Sequence, residues 1–380
     1  MTNETNIATR KSSKRTIFAG SAALAAIAFA AVAMTGCGPS DSGSNATSTT
    51  GGTTAKGTGE SVALNGAGSS FVYPAMSAWI FQYQKDNPGI TINYQSVGSG
   101  AGIAQYKAGT VDFGASDAPL SDKELADMPS PTVQIPVVSG CEVLAYNLPD
   151  VKEGLKLSSD VLADMYLGKI TKWNDPKITS QNPELKLPDT AITIAHRSDG
   201  SGTTYVFTDY LSAVSPEWKS GPGMGKTVNW PVGIGGKGND GVAGLIKQTP
   251  GCIGYVELAY AVQAKLTYGP LKNKSGEYVM PSVESTSASA NAAADALKKD
   301  IRVSIVDGAS KDAYPICGMT YVLMSKAPKD KAKAKATLDF IEWALGPGQK
   351  MSAGLQYGAL PDSVVELNKT ALSEVDVASK

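Results

Sequence analysis

The chain has 380 residues, with 34 Lys and Arg set against 35 Asp and Glu, a net charge of −1 and one histidine. That balance, with no basic face or lysine-dense arm, argues against nucleic acid as a partner, and a single imidazole leaves a metal site short of nitrogen ligands. Four cysteines without a C-x-x-C pair give no zinc or dithiol motif, so neither a metal nor a cofactor is expected.

Arg10, Lys11, Lys14 and Arg15 precede an Ala-rich apolar run from Ile17 to Met34. A charged start and an apolar core ending in small residues is the pattern of an export signal. The run is marginally long enough to span a bilayer, but Met34-Thr35-Gly36-Cys37 at its end resembles a bacterial lipobox. The resemblance implies cleavage before Cys37 and acylation of its sulfur, and several acyl chains suffice for stable attachment. The signal peptide would be residues 1–36; it carries off four basic residues and Glu4, leaving a net charge of −4. Any anion this protein holds must then be captured by local geometry, against a mildly repulsive overall field. Gly, Ser and Thr fill 16 of the 23 positions from 38 to 60. Such a segment is a flexible tether with a reach of about 25 Å. The fold is expected from Ser61, and the chain beyond that point is long enough for two lobes with separate cores.

Short apolar strands alternate with helical stretches along the body, which reads as α/β. Val62–Leu64 reads as a strand, Gly66-Ala67-Gly68-Ser69-Ser70 as a loop, and Phe71 onward as a helix through Trp79, Ile80 and Tyr83. The design repeats in Ile90–Tyr94, Gly98-Ser99-Gly100-Ala101-Gly102 and the short helix Ile103–Ala108. Val111–Ser116 reads as a buried strand ending at Asp117, and Ser121 with Glu124 three residues on is a capping box. An apolar strand at Val143–Asn147 is expected after Pro136–Gly140. Ala191–Ala195, Ser198-Asp199-Gly200-Ser201-Gly202 and Thr203–Leu211 form the third strand, loop and helix unit. Lys326–Lys335 reads as a solvated helix face leading into a final amphipathic helix with Phe340, Ile341, Trp343 and Leu345.

Each of the three loops brings backbone N–H groups to a helix N-terminus, with glycines that permit close approach and hydroxyls that donate. That combination suits a small oxyanion, whereas one such loop alone would be an ordinary connector. Gly221–Thr227 ends like a nucleotide P-loop, but Ser220 stands where the first glycine is needed and no buried strand precedes it. A serine hydrolase built on Ser201 and His196 lacks a G-x-S-x-G elbow. Strand alternation also turns His196 away from Arg197.

GAGSSF (66–71), YQSVGSGAG (94–102), VDFGASDAPLS (111–121), RSDGSGTT (197–204), GYVELAYA (254–261) and GALPDSVV (358–365) resemble the phosphate-binding proteins of bacterial phosphate ABC importers, in family order. The resemblance implies a type II periplasmic-binding-protein fold, in which two α/β lobes are joined by two crossover strands, near Val143–Asn147 and Tyr314–Met324. Lobe one would be 61–146 with 315–380, and lobe two 147–314. It also implies a monomer that hands inorganic phosphate to membrane permease subunits and works no chemistry on it. Its place would be the outer face of the cytoplasmic membrane, held there by the lipid anchor.

Carried over by position, the resemblance assigns phosphate contacts to the Ser70 hydroxyl and amide, the Phe71 amide, Ser99, Asp117, Arg197, Ser201, Gly202 and Thr203, with Asp199 holding the arginine. The family commonly has threonine where Ser70 stands, and a hydroxyl is kept. Phosphate near neutral pH still carries a proton, so it needs donors for its bare oxygens and one acceptor for that proton. Asp117 is the acceptor; sulfate has no proton to offer and would bury like charges in contact. An arginine fork suits paired oxygens better than a lysine point charge. A phosphatase that holds phosphate only as product, a binder of another oxyanion and an adhesin are the rival readings. Of the three cysteines in the fold, Cys252 and Cys317 are the expected disulfide, with Cys141 the other possible partner.

Overall fold

The computed structural model describes residues 61–152 and 154–378; the export signal, Cys37 and the tether lie outside them. The first part of the fold has the expected chain order. Strand β1 (Val62–Gly68) leads to helix α1 (Tyr73–Asp86), β2 (Ile90–Ser96) to α2 (Ser99–Lys107), and β3 (Phe113–Ser116) to α3 (Asp122–Ala126). In α1, Pro74 fits the first turn, where its missing N–H costs nothing. Ala75, Met76, Trp79, Ile80 and Tyr83 make one buried face. Ser121 and Glu124 close the expected capping box on α3.

Strand β4 (Thr132–Tyr146) then runs unbroken for 15 residues, where a strand only from Val143 was expected. Pro136 is accommodated because the register against the returning strand shifts opposite it, between Thr320 and Tyr321. A residue without an N–H is tolerated at such a bulge. The carbonyls displaced from the ladder find other donors: Pro136 O accepts from Asn368 Nδ2 at 2.6 Å and Val137 O from Gln349 Nε2 at 2.6 Å.

Helices α4 (Ser159–Tyr166) and α5 (Pro176–Thr179) precede β5 (Thr193–Arg197), α6 (Gly202–Val214) and α7 (Pro216–Ser220). Next come β6 (Ile234–Gly236), α8 (Gly238–Gln248), β7 (Cys252–Glu257) and α9 (Leu258–Ala264). The short strands β8 (Thr267–Tyr268), β9 (Leu271–Lys272) and β10 (Tyr278–Val279) lead to α10 (Val283–Ala292) and α11 (Ala294–Leu297). The chain returns through β11 (Cys317–Ser325) and closes with α12 (Lys331–Trp343), the short α13 (Gln349–Ser352) and α14 (Asp362–Ser373). Helix α14 was not expected; it buries Val364, Asn368 and Leu372, a strict four-residue spacing.

The sheet has the order β2-β1-β3-β11-β4-β7-β5-β6. Strands β2, β1 and β3 are parallel in one half, and β7, β5 and β6 in the other. The antiparallel pair β11–β4 joins the halves. Strand β4 changes partner midway: Thr132 to Cys141 pair with β11, and Glu142 to Tyr146 with β7. This is the two-lobed α/β architecture expected, and each lobe has its own core. One is built around Phe71, Trp79, Phe113 and Phe340, the other around Tyr166, Trp173, Phe207 and Tyr255.

The expected Cys252–Cys317 disulfide is not formed; all three cysteines of the fold are free and buried. Cys317 stands directly across from Cys141, whereas Cys252 accepts from the Asn147 N–H through its carbonyl. Cys141 and Asn147 are six positions apart along the chain, about 20 Å when extended.

Candidate functional site

In each lobe the C-terminal ends of the parallel strands face the other lobe, the usual place for a ligand in open α/β sheets. On one side, the loop after β3 carries Asp117, which is 2 % exposed. Ser69 Oγ donates to Asp117 Oδ1 and Oδ2 at 2.6 and 2.7 Å, and Thr320 Oγ1 on β11 donates to Oδ1 at 2.7 Å. Ser99 opens α2; its hydroxyl accepts from the Asp117 N–H at 3.2 Å and gives to Oδ2 at 3.3 Å. That last bond is the longest of the set, so Ser99 is the hydroxyl most easily turned to another acceptor. Burial pushes the Asp117 carboxyl up to about 6, against the pull of the Ser69 and Thr320 hydroxyls, the Arg197 charge and Ser99. At neutral pH Asp117 is therefore a carboxylate, and a carboxylate can only accept.

On the other side, β5 ends at Arg197, with its side chain 1 % exposed. Its Nε and Nη2 grip Asp199 Oδ1 and Oδ2 at 2.8 and 2.6 Å, and Nη1 donates to Thr203 Oγ1 at 3.1 Å. Three of the five guanidinium N–H groups are thereby used and two are left. Burial pushes Asp199 up, but the Arg197 hydrogen bonds and charge outweigh it and hold the carboxyl below its ordinary value. Ser201 caps α6 by accepting from Thr204 N at 3.0 Å, which leaves its O–H free to donate. Gly202 and Thr203 are the first residues of that helix, whose leading N–H groups have no partner within it.

The two sides touch. Gly100 N–H donates to Gly200 O at 2.9 Å, and Lys226 pairs with Glu124 at 2.6 Å. A Cβ on Gly202 would lie 2.4 Å from Asp117 Oδ2, and one on Gly98, at φ +88°, would lie 2.3 Å from Asp199 Oδ2. Glycine is required at both positions by these approaches. Beside Asp117 lies a cavity of about 30 Å³, lined in part by Pro119, Tyr205 and Val206. The arrangement sets one acceptor carboxylate among a guanidinium, hydroxyls and helix-terminal amides.

Residues 43–347 match the family described as the PBP superfamily domain. The phosphate-binding protein PstS of Xylella fastidiosa (strain 9a5c) is 48% identical over 341 residues, covering 88% of this chain and 93% of that protein. PstS of Pasteurella multocida is 44% identical over 304 residues, covering 80% of this chain and 88% of its own length. The chain belongs to the phosphate-binding protein family of the PBP superfamily. A solved high-affinity periplasmic phosphate-binding protein, bound with phosphate, shares the fold at a TM-score of 0.65 and 20% identity, covering 81% of this chain and 93% of that one.

The structure brings Ser99, Asp117 and Gly202 together and links Ser70 through Asn239 to Thr203 and Arg197, with Asp199 gripping the arginine. Ser201 caps α6, and Phe71 follows Ser70 with its side chain in the core of its lobe. His196 turns away from these residues: the ring stacks on Trp230 at 4.7 Å and Nδ1 meets Arg197 O at 3.0 Å. Three residues escaped the sequence reading. Ser69 sits one place before the serine chosen, and nothing local separates the two. Thr320 lies more than two hundred residues from the carboxylate it serves. Asn239 was findable, because Gly235-Gly236-Lys237-Gly238-Asn239 extends from β6 into the start of α8, the same design as the other three loops. It reaches Ser70 and Thr203 together, with Nδ2 at 3.0 and 3.1 Å from their hydroxyl oxygens. Behind the cleft, Glu142 and Glu257 are paired across β4 and β7, and burial pushes both carboxyls well up.

Proposed function

We propose that this protein captures inorganic phosphate outside the cytoplasm and delivers it unchanged to the permease subunits of an ABC transporter. The family is one of transporter substrate-binding proteins, not of enzymes, and relatives at 48% and 44% identity are named phosphate-binding proteins PstS. The observation that carries the reading is Asp117, a buried carboxylate opposite Arg197 in a cleft otherwise made of donors. A tetrahedral anion that still bears a proton fits such a set, and a fully ionised one does not. Ser70, Phe71, Ser99, Ser201, Gly202 and Thr203 would supply hydroxyl and amide donors around it, with Asp199 fixing the guanidinium. Calorimetric titration of the purified protein with phosphate, arsenate and sulfate at fixed pH is the test. One phosphate per chain, arsenate in competition with it and no sulfate heat is the expected result; absent phosphate heat, or equal affinity for sulfate, overturns the reading.

The lobes, 61–146 with 315–380 and 147–314, would part to admit the ligand and close over it. The protein would act as a monomer on the outer face of the membrane, held by lipid on Cys37. Metabolic labelling with a radioactive fatty acid is expected to mark the wild type and leave Cys37→Ser unlabelled with its phosphate affinity intact. Label on the variant overturns the anchor.

A further inference from the structure

We infer that Asn239 is a positioning residue that obliges the Ser70 and Thr203 hydroxyls to act only as donors toward the bound anion. The inference rests on the phosphate reading of the cleft. Asn239 is fully buried at the start of α8. The orientation of its amide is dictated by chemistry: Glu257 N–H can only donate, and it meets Asn239 Oδ1 at 3.0 Å, so the NH₂ end must face Ser70 and Thr203.

A hydroxyl has two acceptor sites and one proton. Ser70 Oγ accepts from Asn239 N–H at 3.3 Å and from Asn239 Nδ2 at 3.0 Å, which fills both. Thr203 Oγ1 accepts from Asn239 Nδ2 and from Arg197 Nη1, both at 3.1 Å, and is likewise filled. Each oxygen has only its proton left to give, and what remains beside it is the cleft. Ser70 belongs to the loop after β1 and Thr203 to the first turn of α6, so one amide sets two hydroxyls contributed by different lobes. Tyr260 OH, donating to Ser70 O at 2.7 Å, holds the same serine from the α9 side. A hydroxyl free to rotate would present a proton or a lone pair with comparable ease. One fixed as a donor favours an oxyanion and repels a cation or a donor-rich neutral ligand.

The test is a double-mutant cycle on phosphate affinity at fixed pH, with the melting temperature of each variant measured alongside. Asn239→Ala is expected to weaken phosphate binding by about 10-fold to 100-fold, the range for hydrogen bonds to a charged group. In a Ser70→Ala background the same change is expected to cost several-fold less, because one of the two oriented hydroxyls is already gone. Asn239→Asp keeps an acceptor for Glu257 N–H and the side-chain shape but turns the donor end into an acceptor, so it is expected to lose more affinity than Asn239→Ala. If Asn239→Ala does not fold, this near-isosteric variant carries the same cycle. An equal loss with and without the Ser70 hydroxyl, or no loss at all, overturns the inference while leaving phosphate binding by the wild type untouched. A wild type that binds no phosphate overturns the proposed function, and this inference with it.

Discussion

Arg197→Lys is expected to lower phosphate affinity by about one to two decades, although the charge is unchanged. The guanidinium divides its five N–H groups, two to Asp199 and one to Thr203, with two left over. An ammonium has three N–H groups diverging from one atom, and cannot serve Asp199 in a fork and still present a parallel pair to two phosphate oxygens. Loss of hydrogen bonds to a charged group costs about 1.5–3 kcal/mol, which is the stated fall in affinity. Asp199 would keep the Gly238 N–H at 3.1 Å but lose the grip that orients it. Calorimetry of the variant, with its melting temperature as a check on folding, decides the matter. An affinity equal to that of the wild type removes Arg197 from the binding site.

The second large effect is on selectivity. In Asp117→Asn, sulfate is expected to bind measurably where the wild type excludes it, while phosphate affinity falls only modestly. The wild-type carboxylate already takes three hydroxyl donors, from Ser69, Thr320 and Ser99, and any further contact must bring a proton. Asparagine removes the full charge, keeps one acceptor oxygen for a phosphate proton, and adds an NH₂ that can face a bare sulfate oxygen. The Ser99 hydroxyl, with the longest bond to Asp117, can turn to receive that NH₂ as an acceptor. Titration of the wild type leads to the same end without mutation. Because burial raises the Asp117 carboxyl to about 6, it is ionised above that pH and protonated below it. A protonated Asp117 is neutral and can donate, so the exclusion of sulfate should hold at pH 7 and above and weaken as pH falls through about 6. Competition titrations at several fixed pH values would read both effects. Sulfate shut out equally by the variant, and at every pH, would show that Asp117 is not the selectivity filter.

Local features were legible in the sequence because neighbouring residues decide them. The capping box at Ser121 and Glu124, the buried face of α1 and the strand, loop and helix repeats rest on spacing of a few residues. The structure has the elements in that order, although β1 runs on through Gly68 and α2 begins at Ser99, inside segments expected to be loops. The candidate residues were legible for a different reason: short motifs in a fixed order marked a known family, and each residue was then assigned by position. Spacing alone would have left Asp117 a turn aspartate, although three glycine loops at helix N-termini already suited a small oxyanion.

The tertiary structure decided whatever depended on register between distant strands. The strand was expected only after Pro136–Gly140, but a bulge against β11 and side-chain donors from Gln349 and Asn368 carry β4 through Pro136. Cys317 was expected to meet Cys252, yet the same register sets it opposite Cys141. Thr320 serves Asp117 only because β11 lies between β3 and β4, and Asn239 reaches Ser70 and Thr203 only through contacts between residues far apart in the chain. The sequence thus determined which groups could bind a protonated anion, since donor and acceptor capacity belongs to each residue type. Which hydroxyls must donate depended on which lone pairs were already filled, and partners far away in the chain fill them only after folding.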